Sequence, residues 1–475
     1  MIIAVFGLAV FAYTSHAMIL LYALLVFPPL VFFINKRELL FALCIALYSG
    51  ALTLPGLPFS VGVVFMFVVL FSALVFVGQT MTKRRLPLSS SHRWVIGFVV
   101  VMIITAYFRG FGLRKFGSET WGGTPYIIYT IYGLFYLFST DPVLPSRYWK
   151  WLVYVLCLLS LAPVFAQAIY ALSGGIVWRQ FLFILPEYQM VQFMQDVESD
   201  TGMARLHVAN VASQYLFMLA LIFIAGKKPR VWVGLSFLAS ALLGGVSGNR
   251  IPLIYSMCLL FYYLLFVPRK SLPERFINRY TIVLLFLLVA AALSIQYLPP
   301  TFQRWLSWIP GIRPGEGVVV DAASTIDWRR LVWAECFRRL PQYLLLGRGF
   351  AFNFNDLLNL TGRTYGLGDA DLAITSHNYH QGVLHILMDL GLPGLICWLG
   401  FVVSVVRHHL PLLRRSWNDK LLQQYHRIFL ATFCAHTTAY FLISGGLTHF
   451  VMLIMWAIVA EGLARTDMRL PYMKS

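Results

Sequence analysis

The chain has 475 residues, of which 59% are hydrophobic, 16% aromatic and only 12% charged, with a formal net charge of +18. Globular soluble domains carry roughly 25% charged residues, and the mean hydropathy here is +0.74, so a soluble enzyme, a disordered chain, a coiled coil, collagen and a secreted disulfide scaffold are all excluded. An all-α polytopic membrane protein remains, and the Trp and Tyr content suits membrane interfaces.

A helix crossing about 30 Å of hydrocarbon needs roughly 17–25 apolar residues. Such runs lie at about 16–34, 37–54, 58–79, 92–108, 124–139, 149–172, 205–225, 230–246, 250–267, 278–297, 391–407, 426–443 and 446–463. The short apolar stretch 2–13 is a possible hairpin partner of the first, so 12 to 14 spans are expected. Four blocks follow: N-terminal helices over 1–204 with a loop at about 173–204, central helices over 205–297, a large loop over 298–390, and C-terminal helices with a tail over 391–475.

Placing the segments around Lys36, Lys83–Arg93, Arg147–Lys150, Lys227–Arg230, Arg269–Arg279, Arg407–Arg427 and Arg465–Lys474 on one side gathers 23 of the 37 Lys and Arg there with six acids. That side is +17 and the other +1, so the basic excess reads as the positive-inside rule rather than as a nucleic-acid surface. The C-terminus is then cytoplasmic, and the loops at 173–204 and 298–376 face outward. With no basic segment before the first apolar run, a cleaved signal peptide is not expected. The six cysteines (44, 157, 258, 336, 397, 434) are scattered, so neither a disulfide nor a Cys-based metal site is expected. No Walker A or GxGxxG sequence occurs. An enzyme built this way must take a substrate already at the outer face of the membrane.

Four constellations can carry chemistry. Ser247-Gly248-Asn249-Arg250 is a polar break between two apolar runs. It reads either as a turn with a snorkelling Arg or, because the break lies on the outward side where Arg is disfavoured, as a fixed cation for an anionic group. The segment Ser324–Pro341 predicts a helix capped by Ser324, Thr325 or Asp327 and stopping before Pro341, with Trp333, Phe337 and Leu340 on one stripe and Arg329, Arg330, Arg338 and Arg339 around it. It suits a bilayer surface or a phosphate, for which guanidinium offers paired donors. Gly347-Arg-Gly349 is a Gly-bounded loop, and Asp369-Ala-Asp371 reads as loop. Finally, Ser376–Gly394 predicts a helix over about 378–390, capped by Ser376 or Asn378 and ended by Gly391, with His380 in its first turn. A helix N-terminus attracts phosphate and lowers a histidine pKa, which suits a neutral base. His377, His380 and His385 also raise a metal reading, ranked low because no acidic third ligand is close in the sequence.

Together these pieces resemble the O-antigen ligase and polymerase superfamily of bacterial surface-glycan assembly. Its hallmark is H-[N/S/Q]-x9-G-x-x-G, and His380-Gln381, nine residues, then Gly391-Leu-Pro-Gly394 match it, whereas His377-Asn378 puts Gly391 three residues too far away. The Ser247–Arg250 break resembles the family's first functional Arg. The Arg-x-x-x-Trp helix, followed by Pro341 and Gly347-Arg-Gly349, resembles the second, at Arg329 or Arg330.

The resemblance implies a glycosyltransferase of the bacterial inner membrane, acting at its periplasmic face. It would move a glycan from undecaprenyl diphosphate to an acceptor hydroxyl. The acceptor is a lipid-linked repeat unit for a polymerase, slightly preferred here, or lipid A–core for a ligase. His380 would be the catalytic base or a diphosphate contact. Arg250, Arg329, Arg330, Arg338 and Arg339 would be diphosphate contacts, with His377, Asn378, Gln381, Gly391 and Gly394 in support. No cofactor and no metal are expected, and direct displacement would invert the anomeric centre. The implied partners are the lipid-linked donor, the glycan acceptor, the bilayer and other glycan-assembly proteins, with no nucleic acid. A lipid-linked glycan transporter, which would want charges within its spans, and a non-catalytic scaffold, which would tolerate loss of Arg250 and His380, are the competing classes.

Overall fold

The computed structural model describes residue 66 and residues 89–112, 122–138, 145–172, 205–206, 208–267, 289–290, 293–307, 309, 313–352, 369–442, 445 and 448–469. The expected spans at 16–34 and 37–54, nearly all of 58–79, most of 278–297, and the loop at 173–204 lie outside these residues. Among the described residues the chain is helical throughout. In chain order the helices are α1 (Ser90–Arg109), α2 (Thr124–Phe138), α3 (Ser146–Leu159), α4 (Ala162–Leu172), α5 (Ala209–Ala225), α6 (Arg230–Ser247), α7 (Ile251–Phe266), α8 (Pro300–Leu306), α9 (Glu316–Tyr343), α10 (Asp369–Thr375), α11 (Gly382–Leu412), α12 (Lys420–Leu442) and α13 (Thr448–Arg469). Of these, α1, α6 and α11 are long and apolar enough to cross a membrane.

The principal pairings are α5 with α6, α1 with α11, α12 with α13, and α7 with α12. They close through small residues and buried polar contacts, as helix pairs in lipid do. Ser213 Oγ donates to Ser240 O and Ser240 Oγ to Ser213 O, both at 2.7 Å, locking α5 to α6. Gly400 leaves room for the Trp94 ring on α1, which a Cβ would meet at 2.3 Å. Trp149 of α3 lies on Gly462 of α13 and donates Nε1–H to Thr466 at 2.8 Å.

The structure corrects four expectations. The run 149–172 is two helices, because Pro163 has no N–H to bond Leu159 and its ring crowds that carbonyl; α3 ends at Leu159 and α4 starts at Ala162. α9 starts at Glu316 with Gly315 as N-cap and ends at Tyr343, two residues past Pro341. Ser324 and Thr325 sit inside it, their hydroxyls folded back onto the Asp321 carbonyl at 2.9 and 2.8 Å instead of capping. Its buried stripe is also shifted: Val332 and Cys336 are fully buried with Trp328, Trp333, Leu340 and Tyr343 against them, while Phe337 is 60% exposed. Asp369-Ala-Asp371 opens helix α10 and is not loop.

The fourth correction shapes the site. α11 begins only at Gly382, so His380 precedes it, and neither Ser376 nor Asn378 is the cap. Gln381 is: its side chain accepts from Leu384 N–H at 2.6 Å and donates to Phe441 O at 3.2 Å. Gly391 does not end the helix but kinks it, with φ 69° and ψ −170°, a conformation open essentially to glycine alone.

Candidate active site

The site is assembled where the α6–α7 turn, α8, α9 and the segment before α11 meet. Ser247 closes α6, its Oγ donating to Gly244 O at 2.7 Å and accepting from Asn249 N–H at 3.2 Å. Gly248 takes φ 62°, and the chain re-enters a helix at Arg250, the N-cap of α7. The Gly248 carbonyl accepts from Arg304 Nη1 at 3.3 Å. On its other side a Cβ would touch the Arg205 side chain at 3.4 Å. The turn is thus held between two guanidinium groups.

Asp321 of α9 ties those two together. One carboxylate oxygen takes Arg205 Nη2 at 2.9 Å and the other takes Arg304 Nε, while Arg304 Nη2 donates to Thr325 Oγ1 at 3.1 Å. Burial, then the charges of Arg205 and Arg250 against the favourable Asp321, lowers the Arg304 pKa to about 10. Burial also lowers that of Arg250, with Asp321 opposing, and burial followed by the charge of Arg250 lowers that of Arg329. Arg304 therefore stands within electrostatic reach of Arg205 and Arg250, and Arg250 within reach of Arg329, with the Asp321 carboxylate beside the first three. An excess of buried positive charge is costly, and a polyanion relieves it.

His380 stands beside this cluster. Its ring meets Trp328 edge to face at 5.1 Å. Burial, then the charges of Arg329 and His385, lowers its pKa to about 4, so near neutral pH it is an uncharged imidazole able to accept a proton. Its backbone has φ 51°, and His377 has φ 57°. Both are left-handed conformations that β-carbon sterics disfavour. At His377 the cause is visible: His377 N–H bonds Ile374 O at 3.2 Å and Asn378 N–H bonds Ala373 O at 2.8 Å. This is the Schellman closure of α10, with histidine where glycine is usual.

Beneath the loop lies the fully buried Asp389. It takes His377 Nδ1 at 2.7 Å and Tyr379 O–H at 3.0 Å on one oxygen, and lies 3.1 Å from His385 Nε2 on the other. His385 Nδ1–H donates to Gly445 O at 3.1 Å, and Trp333 Nε1–H donates to Tyr379 O at 2.9 Å. His377 and His385 are thus turned down to a carboxylate, while His380 is turned up to Arg329 and Trp328.

The Gly391-Leu-Pro-Gly394 segment and the Gly347-Arg-Gly349 loop form one device. Pro393 has no N–H for the Asp389 carbonyl, and the kink at Gly391 diverts Leu392 N–H to Leu344 O at 2.7 Å, leaving the Met388 carbonyl free as well. Arg348 N–H and Gly349 N–H take these two carbonyls at 2.6 and 3.0 Å. Gly347 is there because a Cβ would stand 2.2 Å from Asp389 O. Arg109 of α1 fastens the loop from behind, donating Nε–H to Gly347 O at 2.9 Å.

Of the arginines singled out in the sequence, Arg329 stands in the field of His380 and Arg250 in the field of Arg329. Arg330 is 73% exposed and pairs with Asp327 at 3.3 Å. Arg338 and Arg339 both bind Glu335, holding its carboxyl down at about 2, and Arg339 also binds Asp371. Asn378 is exposed. Arg205, Arg304, Asp321, Trp328 and Asp389 were not anticipated. For Arg205 and Arg304 a signal existed, since both are arginines on the side where the charge rule disfavours them.

Residues 235–399 match the family model described as O-antigen ligase, and the match contains Arg250, Asp321, Arg329, His380 and the Gly391–Gly394 kink. No curated protein shows a significant match to the chain. Through this segment, 165 of its 475 residues, the chain is similar to the O-antigen ligase family.

Proposed function

We propose that the protein transfers a glycan from undecaprenyl diphosphate to an acceptor sugar hydroxyl at the periplasmic face of the bacterial inner membrane. The observation that carries this reading is the neutral His380 in the field of Arg329, which in turn lies in the field of Arg250, in a cluster where cations outnumber acids. His380 takes the proton of the acceptor hydroxyl as that oxygen attacks the anomeric carbon. The bond from the anomeric carbon to the diphosphate oxygen breaks, and the lipid diphosphate leaves with its electron pair. Arg250 and Arg329 stabilise the charge that grows on the leaving oxygen, and they need no reorganisation to do so. Arginine can fill this role without a metal ion, and a single displacement of this kind inverts the anomeric centre. Arg205, Asp321 and Arg304 hold the turn that carries Arg250.

The acceptor favoured here is a second lipid-linked repeat unit, making the enzyme a polymerase, because the chain on both sides of the central helices offers arginine to a lipid-linked chain, Arg205 before them and Arg304 and Arg329 after them. The matched family's description favours the second reading, ligation to lipid A–core. Reconstituted membranes supplied with lipid-diphosphate-linked repeat units and EDTA test both. Longer lipid-linked chains support polymerisation. Product only when lipid A–core is added makes the protein a ligase. Full activity in His380→Ala and Arg250→Ala would remove this site assignment, and a product with retained anomeric configuration would remove the single displacement.

A further inference from the structure

The far end of α11 carries a second histidine cluster that the transfer reaction does not use. His408 and His409 lie in the last turns of that helix, roughly 40 Å along it from His380 at 1.5 Å per residue, and face Glu461 of α13. His408 Nε2 stands 3.1 Å and His409 Nε2 3.6 Å from the same carboxylate oxygen, Oε2. The three atoms lie within 4.8 Å of one another. A tetrahedral ion with bonds of about 2.0–2.1 Å holds neighbouring ligand atoms roughly 3.3–3.4 Å apart, so the two distances bracket that edge.

The surroundings aim these groups. Arg465 Nε takes the other carboxylate oxygen, Oε1, at 2.6 Å, so Oε2 is the one left to the imidazoles. His409 Nδ1 meets His426 Nε2 at 2.9 Å, which fixes the ring from behind, as an outer-shell partner does for a metal-bound histidine. The ring of Trp417 lies 4.9 Å from that of His426 and backs it in turn. His409 is 3% exposed and His408 51%, so the cluster is closed on the core side and open on the other, where water can complete a coordination shell. The nearby His92 is already committed: its Nδ1 accepts from Ser89 N–H at 3.1 Å, which places the proton on its Nε2.

We propose that His408 Nε2, His409 Nε2 and Glu461 Oε2 form a three-ligand site for a divalent zinc-type ion that staples α11 to α13. Two imidazoles and one carboxylate suit zinc and its neighbours rather than magnesium or calcium, which prefer all-oxygen shells. The sequence gives no hint of the site, because the adjacent histidines read as part of a basic segment and the acid comes from another helix.

The test uses the full-length protein in detergent, stripped with EDTA, desalted and titrated with Zn²⁺, or with Co²⁺ as a spectroscopic stand-in. One ion per chain is expected, with the absorption of tetrahedral Co²⁺ and a Zn²⁺-dependent rise in Tm. Loss of outer-shell partners alone costs 10–100-fold in metal affinity, so His408→Ala, at an exposed position, should weaken binding about 100-fold or more and abolish the rise in Tm. His380→Ala should bind the ion as wild type does while losing transfer. A wild-type chain that retains no ion overturns the proposal. So does equal binding by His408→Ala, and so does loss of the ion in His380→Ala, which would move the metal to the other histidine cluster.

Discussion

At the scale of single residues, Arg329 and Arg330 are adjacent and chemically identical, and only their placement on α9 separates them. Arg329 neighbours the buried stripe and shares the field of Arg250 and His380; Arg330 is solvated beside Asp327, a contact worth little at the surface. Arg329→Ala should therefore lower kcat for glycan transfer by about 100-fold or more, the usual effect of removing one preorganised donor to a developing anion. Arg330→Ala should leave kcat within about threefold of wild type. Steady-state transfer rates on matched, normally inserted protein decide the point, and a reversed order would put Arg330 in the site. The pH profile is a second consequence. An ordinary histidine with a pKa near 6.5 is roughly 90% protonated at pH 5.5, but His380, lowered to about 4, still holds its lone pair there. The acid limb of kcat/KM, which reports the free enzyme, should fall well below pH 6. A limb centred at 6.5 would mean that His380 is not the group titrating.

At the scale of elements, the lesson is that a motif can be a joint between two segments. The glycines at 391 and 394 were visible in the sequence as a spacing, and those at 347 and 349 as a turn. Their connection was not, because it depends on which carbonyls a kinked helix leaves free, and that is decided by a missing N–H at Pro393 and a Gly-only backbone angle at Gly391. Gly391→Ala forces a side chain into φ 69° with its Cβ 2.8 Å from Leu344 O. The expected cost is about 1–3 kcal/mol, read as a lowered Tm, together with reduced transfer, since the loop bearing His380 and the helix bearing Asp389 both hang on this joint. Unchanged Tm and activity would show that the kink is not needed. Helix α9 starts ahead of its cap-forming residues for a related reason. Ser324 and Thr325 are cap-forming residue types, but a hydroxyl can instead bond a carbonyl three or four residues back and stay inside a helix. Only the packing of Val318 and Asp321 decides which occurs.

At the scale of the whole molecule, the apolar runs alone located most of the described helices. Helix formation in lipid is dictated by backbone hydrogen bonding and leaves little for tertiary context to override. The cation cluster was half legible: Arg250 and Arg329 stood out by type and setting, while Asp321 and Asp389 did not, since a lone acid acquires meaning only from the groups that converge on it. The charge asymmetry of the loops makes the remaining prediction. If loop charge sets orientation, the segment bearing α9 and the one between α11 and α12 face opposite aqueous compartments, because α11 is long and apolar enough to cross the membrane between them. Arg330 and Arg415 are exposed probes of the two ends. The described native cysteines are buried or half-buried, so an added thiol should dominate labelling. In cells with a permeabilised outer membrane, Arg330→Cys should react with a membrane-impermeant maleimide, whereas Arg415→Cys should react only after the inner membrane is broken. The opposite pattern would place the guanidinium cluster in the cytoplasm, where the donor's glycan would have to be met before export. Labelling of both in intact cells would mean that α11 does not span at all, and the separation between His380 at one face and the His408–Glu461 cluster at the other would lose its basis.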